Sequence, residues 1–409
     1  MRIGFIATRL NGTDGVSLEV EKWVHVLRGM GHEPFYCAGE LGGYAAGGTL
    51  VPPMHFAHPA VMALSDRAFG EREPLATLQP DLQAIADDIR DALRAFILDN
   101  WIDVVVPQNA LTIPMNLPLG MALTTLIAEL GIPAIAHHHD FFWERQRFQT
   151  NQILPLLDHA FPPDLPTIRH VTINSIAQRR LLLRRDIQSI VIPNVHDFDA
   201  PAPPVDEYSR DVRQRLGLSD EDLLVLQPTR VIQRKGIEMA IELVRLLDLS
   251  DTPLYITHSA GDEGLDYWHW LQREAAMMRV DLRLIDHLVE PERRMASSGK
   301  IYSLWDVYPH ADLITYPSIY EGFGNALLEA IYFKRLVVVN RYPVYNADIG
   351  PLGFEFVELD GFVSDDAVAH TRGLLVDPDQ TRAMAEKNYA IAREHFSLRV
   401  LDRKLREVL

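Results

Sequence analysis

The stretch Tyr316-Pro-Ser-Ile-Tyr-Glu-Gly-Phe-Gly-Asn-Ala-Leu-Leu-Glu329 carries the chain out of a strand and into a helix. The apolar run Ala311–Tyr316 has strand character, and the apolar spacing from about Gly324 to Phe333 is helical. A helix that opens directly behind a loop offers the N–H groups of its first turn, here those near Gly324, Asn325 and Ala326. With the positive end of the helix dipole, these make an anion site. Gly322 and Gly324 leave room for close backbone approach. Glu321 and Glu329 are eight residues apart, about 12 Å of rise if the segment were all helix. One carboxylate in the loop and one in the helix suit a single elongated ligand with a sugar at one end and a ribose at the other. Taken alone, the same residues also describe an ordinary helix start with two solvated glutamates.

Upstream, Pro228-Thr-Arg-Val-Ile-Gln-Arg-Lys-Gly236 lies between a strand, Leu223–Gln227, and a helix, Ile237–Leu247. Arg230 and Lys235 in that loop would give a diphosphate positive charge and directed donors. Arg234 could contribute, but as the immediate neighbour of Lys235 it is expected to point elsewhere. Strands at Leu254–Thr257, Leu282–Asp286 and Leu336–Asn340 continue an alternation with helices such as Tyr267–Met278. The same alternation precedes the proline-rich segment Ile192–Pro204, with strands at Ile3–Ala7, Val104–Val106, Ala134–Ala136 and His170–Ile173. Two tandem βαβ series predict two parallel α/β domains facing across a cleft, with ligands at the carboxyl ends of the strands. The boundaries read as 1–198 and 199–385, with a last helical stretch, 386–409, crossing back onto the first domain.

At 409 residues the chain exceeds one ordinary core. Its net charge of -17 repels nucleic acid and anionic membranes as bulk partners. A single cysteine, Cys37, forms no internal disulfide and fits a reducing cytoplasm. The opening MRIGFIATRL is a strand pattern rather than a signal peptide, and no apolar run reaches the roughly 20 residues of a membrane span. The expectation is a soluble, cytoplasmic protein. The run Arg179-Arg-Leu-Leu-Leu-Arg-Arg185 reads as a solvated helix face rather than a membrane contact.

Together, the Glu321-x7-Glu329 element, the Arg230-x4-Lys235-Gly236 loop and the Ile192-Pro-Asn194 linker resemble the retaining glycosyltransferases of family 4, the glycosyl transferases group 1. The similarity runs over nearly the whole chain, including the first loop Thr13-Asp-Gly-Val16 and the ending Asn388-Tyr389 with His395-Phe-Ser397. It implies the GT-B fold, two Rossmann-like domains, and transfer of a hexose from a UDP- or GDP-linked donor. It also implies that Arg230 and Lys235 neutralise the donor diphosphate, helped by the N–H groups near Gly324, Asn325 and Ala326. Glu329 would bond the ribose hydroxyls, Glu321 the transferred sugar, and Gly15 would let the first loop close over the donor. In Ala136-His-His-His-Asp140 the family commonly has a histidine followed by an acidic residue. His139 matches best and His138 second, hydrogen-bonding the transferring sugar and stabilising charge, with Asp140 on the acceptor side. The resemblance further implies a front-side retaining mechanism, and the cations of the loop stand where other transferases use a divalent ion. Neither a metal nor another cofactor is expected.

Three histidines in a row invite a metal reading. Adjacent strand residues point to opposite faces, so only His137 and His139 could converge. Acceptor choice is expected to rest on Gln108–Asn116, with Asn109, and on Phe141–Phe148, where Arg145 or Arg147 could pair with an acceptor carboxylate or phosphate. That pattern points to a small soluble acceptor such as a sugar or sugar acid. A nicotinamide dehydrogenase would need G-x-G-x-x-G after the first strand, and the loop NGTDGVS lacks it. An epimerase or phosphorylase of the same architecture, or a non-catalytic nucleotide-sugar binder, remains open on fold alone.

Overall fold

The computed structural model describes residues 1–409 except Thr13, Asp14, Ala45, Ala46, Ser250, Asp251, Asp262, Glu263 and Ser298. The chain divides into two units, Met1–Asn194 with Leu398–Leu409, and Val195–Ser397. Thr13 and Asp14 of the first loop lie outside the described residues.

The first unit is built on seven strands: β1 (Arg2–Ala7), β2 (Glu33–Ala38), β3 (Gly48–Leu50), β4 (Val104–Pro107), β5 (Ala134–His138), β6 (Ile168–Thr172) and β7 (Ser189–Val191). They pair in the order β3-β2-β1-β4-β5-β6-β7, every neighbour parallel. The order reverses direction between β1 and β4, so the loops behind these two strands open the crevice typical of doubly wound sheets. The helix Leu75–Asp99 buries the large side chains Leu78, Leu82, Ile89, Leu93 and Phe96 on one stripe, which Ala86 completes at three- and four-residue spacing. Each such side chain contributes about 1.5–3 kcal/mol by leaving water. The helix Leu117–Leu130 begins where Asn116 accepts the Leu119 N–H at 2.9 Å and stops at Gly131 in the left-handed region. The last helix, Leu398–Val408, lies against the helix Gly15–Gly29, and Arg169 Nη1 caps its end at the Val408 carbonyl, 2.8 Å away.

The second unit holds six strands in one sheet: β8 (Val225–Gln227), β9 (Leu254–Ile256), β10 (Leu282–Leu284), β14 (Leu313–Tyr316), β15 (Leu336–Asn340) and β16 (Val357–Leu359). A small separate sheet comprises β11 (Val289–Glu290), β12 (Arg294–Ala296) and β13 (Gly299–Ser303). The large sheet is parallel throughout, ordered β10-β9-β8-β14-β15-β16, and reverses between β8 and β14.

The boundaries differ from those read in the sequence. Val195–Phe198 belong to the second unit: His196 N–H bonds the Phe396 carbonyl at 2.8 Å, and Phe198 packs edge-on against Tyr389. Residues 386–397 belong there too, because one helix runs unbroken from Pro378 to His395. Its Asn388 bonds both the amide and the carbonyl of Glu355, at 2.8 and 2.6 Å. Only Leu398–Leu409 joins the first unit.

Among the described residues no helix is long and apolar enough to cross a membrane. In the helix Ser175–Arg185, Leu181 turns inward while Leu182 and Leu183 are exposed. Arg180 pairs with Glu144, and Arg185 with Asp158 at 3.5 Å.

Candidate active site

The two loops singled out in the sequence sit behind β8 and β14, the adjacent strands at which the sheet order reverses. Behind β8, Gln233–Lys235 form a short 3-10 turn that ends on Gly236 at φ +59°. A tight turn brings consecutive side chains to one region, and Arg234 and Lys235 both reach Glu321. The Lys235 ammonium is paired with Glu321 Oε1, and Arg234 Nη1 lies 3.0 Å from Glu321 Oε2. The expectation that Arg234 points elsewhere is corrected by this contact. Arg234 also donates to the Tyr320 carbonyl at 3.0 Å and accepts the Ile319 N–H at 2.8 Å, so the loops are laced together.

Lys235 and Glu321 are buried. Burial alone would raise the Glu321 carboxyl, but the charges of Lys235 and Arg234 overturn that and hold it at about 2. For Lys235 burial is the larger influence and lowers it, with Glu321 pulling the other way.

The loop carrying Glu321 is fixed from two further sides. Asn340, at the end of β15, donates to the Ser318 carbonyl at 3.0 Å, and the Tyr342 hydroxyl donates to the Phe323 carbonyl at 2.6 Å. Gly324 precedes the helix Asn325–Tyr332 at φ +132°, where a Cβ would stand 2.6 Å from the Tyr342 hydroxyl. Asn325 and Ala326 form the first turn of that helix, and Glu329 lies one turn further, partly buried. The buried Tyr308 donates its hydroxyl to Glu329 Oε2 at 3.0 Å. Arg230 is exposed on the same loop as Lys235, whose charge it opposes.

In the first unit the histidines follow β5. His137 Nδ1 is 2.9 Å from Gln108 Oε1, and its ring stacks on Trp23 at 4.4 Å. His139 lies beside it, ring centroids 4.5 Å apart. His138 faces the opposite way, into the core, with Nε2 2.9 Å from His170 Nδ1. Burial drives His137 and His138 well below the usual histidine range and His170 to about 4. The structure thus separates His138 from His139. Asn109, at φ +54°, accepts the His139 N–H at 3.0 Å and donates to Asp140 Oδ1 at 2.9 Å. Arg145 is paired with Asp140, its Nε 2.9 Å from Oδ2, and Arg147 lies over the Phe148 ring. Gly15 opens the helix Gly15–Gly29 and is exposed. Among the described residues no group of three or more His, Cys, Asp and Glu side chains is placed to hold a metal ion.

Residues 209–390, which hold both loops of the second unit, match the family described as glycosyl transferases group 1. The mannosylglucosylglycerate synthase of Petrotoga mobilis is 36% identical over 381 residues, 88% of this chain and 86% of that protein. The mannosylglucosylglycerate synthase of Thermotoga maritima is 35% identical over the full length of both chains. The chain belongs to the group 1 glycosyltransferases. Its GT-B fold matches the crystal structure of Anabaena HepE in complex with UDP and glucose, with a TM-score of 0.67, 14% identity, and coverage of 100% of this chain and 98% of that one.

The glycosyltransferase depends on close approach at Gly236, where a Cβ would lie 2.5 Å from the Pro317 carbonyl oxygen. Gly236→Ala is expected to cost about 2–4 kcal/mol, combining left-handed strain with displacement of the Glu321 loop. Gly217, at φ +81° with its nearest neighbour at 3.6 Å, supplies the control. Gly217→Ala carries the strain alone, about 1–2 kcal/mol. Denaturant titration and initial rates check both, and only Gly236→Ala should lower kcat/KM.

Sequence reasoning misjudged Arg234 and missed Tyr308, Asn340 and Tyr342. Asn340 had a usable signal, a polar residue closing an apolar strand of a parallel sheet. The two tyrosines had none, because their partners lie 21 and 19 residues away at no motif spacing.

Proposed function

We propose that this glycosyltransferase moves a mannosyl residue from a nucleoside-diphosphate mannose to glucosylglycerate, with retention of configuration at the sugar carbon. The observation that carries the donor site is the convergence of Arg234 and Lys235 on Glu321 at the reversal of strand order. The acceptor comes from the relatives, whose name describes a mannosyl unit on glucosylglycerate, a sugar acid.

In this reading Arg230 and Lys235 take the diphosphate charge, with the amides of Gly324, Asn325 and Ala326 as further donors. They supply the positive charge, so the reaction needs no metal. Glu329, oriented by Tyr308, accepts from the ribose hydroxyls. Glu321 is ionised at neutral pH, so toward the sugar it accepts hydrogen bonds and donates no proton. The bond from C1 to the diphosphate oxygen breaks, and the acceptor hydroxyl oxygen bonds C1 on the same face. The hydroxyl proton passes to the departing phosphate oxygen, and the nucleoside diphosphate leaves. Stabilising that leaving group lowers the barrier directly. His139 hydrogen-bonds the transferring sugar, and Asn109, Asp140, Arg145 and Arg147 shape the acceptor side. His138 supports this segment from the core.

Incubation with UDP-, GDP- and ADP-linked mannose and glucose, with glucosylglycerate as acceptor, tests the reading by product mass and anomeric coupling. One mannosyl donor should yield a disaccharide-linked glyceric acid, with configuration retained at the mannosyl carbon. Transfer only to lipid or polymer acceptors would sink it. Glu329→Ala is expected to weaken binding of the nucleotide about 10- to 100-fold, the worth of hydrogen bonds to a charged group. Calorimetry with UDP, GDP and ADP measures it, and an unchanged affinity would remove Glu329 from the ribose site.

A further inference from the structure

Glu321 has two cations, and they are not equivalent. Lys235 is buried, a point charge on a flexible stem, with its ammonium 5.8 Å from the Tyr316 ring centroid. Arg234 is partly open, and its guanidinium Nη1 holds Glu321 Oε2 and the Tyr320 carbonyl together, each at 3.0 Å. The Arg234 backbone carbonyl adds the bond from Ile319 N–H at 2.8 Å. Tyr316 and Ser318 face Glu321 from its own segment, Tyr342 from the segment behind β15, and Arg230 acts on Lys235. Of all these groups, Lys235 and Arg234 are the cations that touch the carboxylate.

The proposed function gives Lys235 to the donor diphosphate, and the present inference rests on that reading. A diphosphate that draws the Lys235 ammonium removes one of the two counter-charges of a buried carboxylate. Left with none, such a group neutralises itself by taking up a proton. We propose that Arg234 is a positioning residue that stays with Glu321 when Lys235 turns to the diphosphate, keeping the carboxylate ionised and its loop in place. The side chains suit this division. The guanidinium is rigid and planar and holds both acceptors from one nitrogen, Nη1, whereas the ammonium can swing on its four-carbon stem. Arg234 also belongs to the backbone lacing of the two loops, so moving it would unpick the loop as well as the charge.

Calorimetry of UDP, GDP and ADP binding, in buffers of different ionisation enthalpy, tests the proposal on wild type, Arg234→Gln, Arg234→Lys and Lys235→Met. Arg234→Gln keeps an N–H for the Tyr320 carbonyl but loses the charge. Its nucleotide binding should take up as much as one proton more than wild type. Its affinity should fall with rising pH, approaching about tenfold per unit relative to wild type. Arg234→Lys, which restores the charge, should return proton uptake to the wild-type value. If Arg234→Gln does not fold, Arg234→His takes its place. That side chain is cationic below about pH 6.5, so the extra uptake is expected only above that pH. Equal uptake and equal affinity in wild type and the uncharged variant overturn the proposal. Nucleotide binding indifferent to Lys235→Met overturns instead the donor-site reading beneath it.

Discussion

Glu321→Gln is expected to destabilise the second unit by about 3–5 kcal/mol and to lower kcat/KM by about 100- to 1000-fold. The stability loss follows from the charges left behind. The amide retains the shape of the carboxylate but leaves the buried Lys235 ammonium and the Arg234 guanidinium without an anion. The lowered pKa of Glu321 expresses the same charge pairing as a dependence on pH. Glu321 falls from 4.5 to about 2 in the folded chain, which corresponds to about 3 kcal/mol. A depressed carboxylate contributes stability that is fully present above its unfolded value and lost as pH falls through the folded one. The gap between wild type and Glu321→Gln should therefore be full above about pH 4.5 and close toward about pH 2.

A second substitution separates stability from catalysis. Lys235→Met removes the buried cation and leaves Glu321 with Arg234 alone. Adding Lys235→Met to Glu321→Leu removes both ends of the buried pair, so the double variant should be markedly more stable than the two single losses added together. Activity should stay at its floor, since only Arg230 is left for the diphosphate and no carboxylate is left to accept hydrogen bonds from the transferred sugar. Denaturant titration of all four proteins checks this. Additive stability losses would mean that the pair contributes no coupling.

The parts of this site that the sequence disclosed were those written locally. Glu321, Gly324 and Glu329 share one loop and helix, and Arg230, Lys235 and Gly236 share another, so each group was legible from strand-then-helix periodicity. What joins the two groups was not legible. The strands that carry them are 88 residues apart at the Val225–Leu313 pairing, and only the sheet order places their ends side by side. Arg234 was misjudged because an extended loop would have sent neighbours apart, whereas the 3-10 turn Gln233–Lys235 brings them together. Short outer strands such as β3, β7 and β16 carry too few residues for a period to show. The unit boundary fell near the proline-rich segment, but the rule that prolines mark linkers missed the tie between His196 and Phe396. The histidine run showed its alternation, and strand geometry separated His138 from His137 and His139. It could not show that His138 would find His170 on the next strand.

That separation makes two neighbouring substitutions behave in opposite ways. His139→Ala is expected to lower kcat about 100-fold, the loss that follows removal of one hydrogen-bonding partner of the reacting groups. The KM for the nucleotide donor and the melting temperature should move little. The reason is structural: the His139 backbone is held by Asn109 Oδ1, and the ring rests beside His137, itself fixed by Gln108 and Trp23. Removing the ring leaves that platform standing. His138→Ala empties a buried site and strips the His170 imidazole of its partner at 2.9 Å. It should cost about 2–4 kcal/mol of stability, from the cavity and the unpaired polar group together. Its kcat, measured well below its melting temperature, should stay within a few-fold of wild type. Steady-state kinetics and thermal melts on the two variants read the contrast directly. If His138→Ala loses the rate and His139→Ala the stability, the assignment of the histidine that faces substrate must be exchanged. If both lose only stability, the run has no part in transfer and the acceptor side must be sought among the other loops of the first unit.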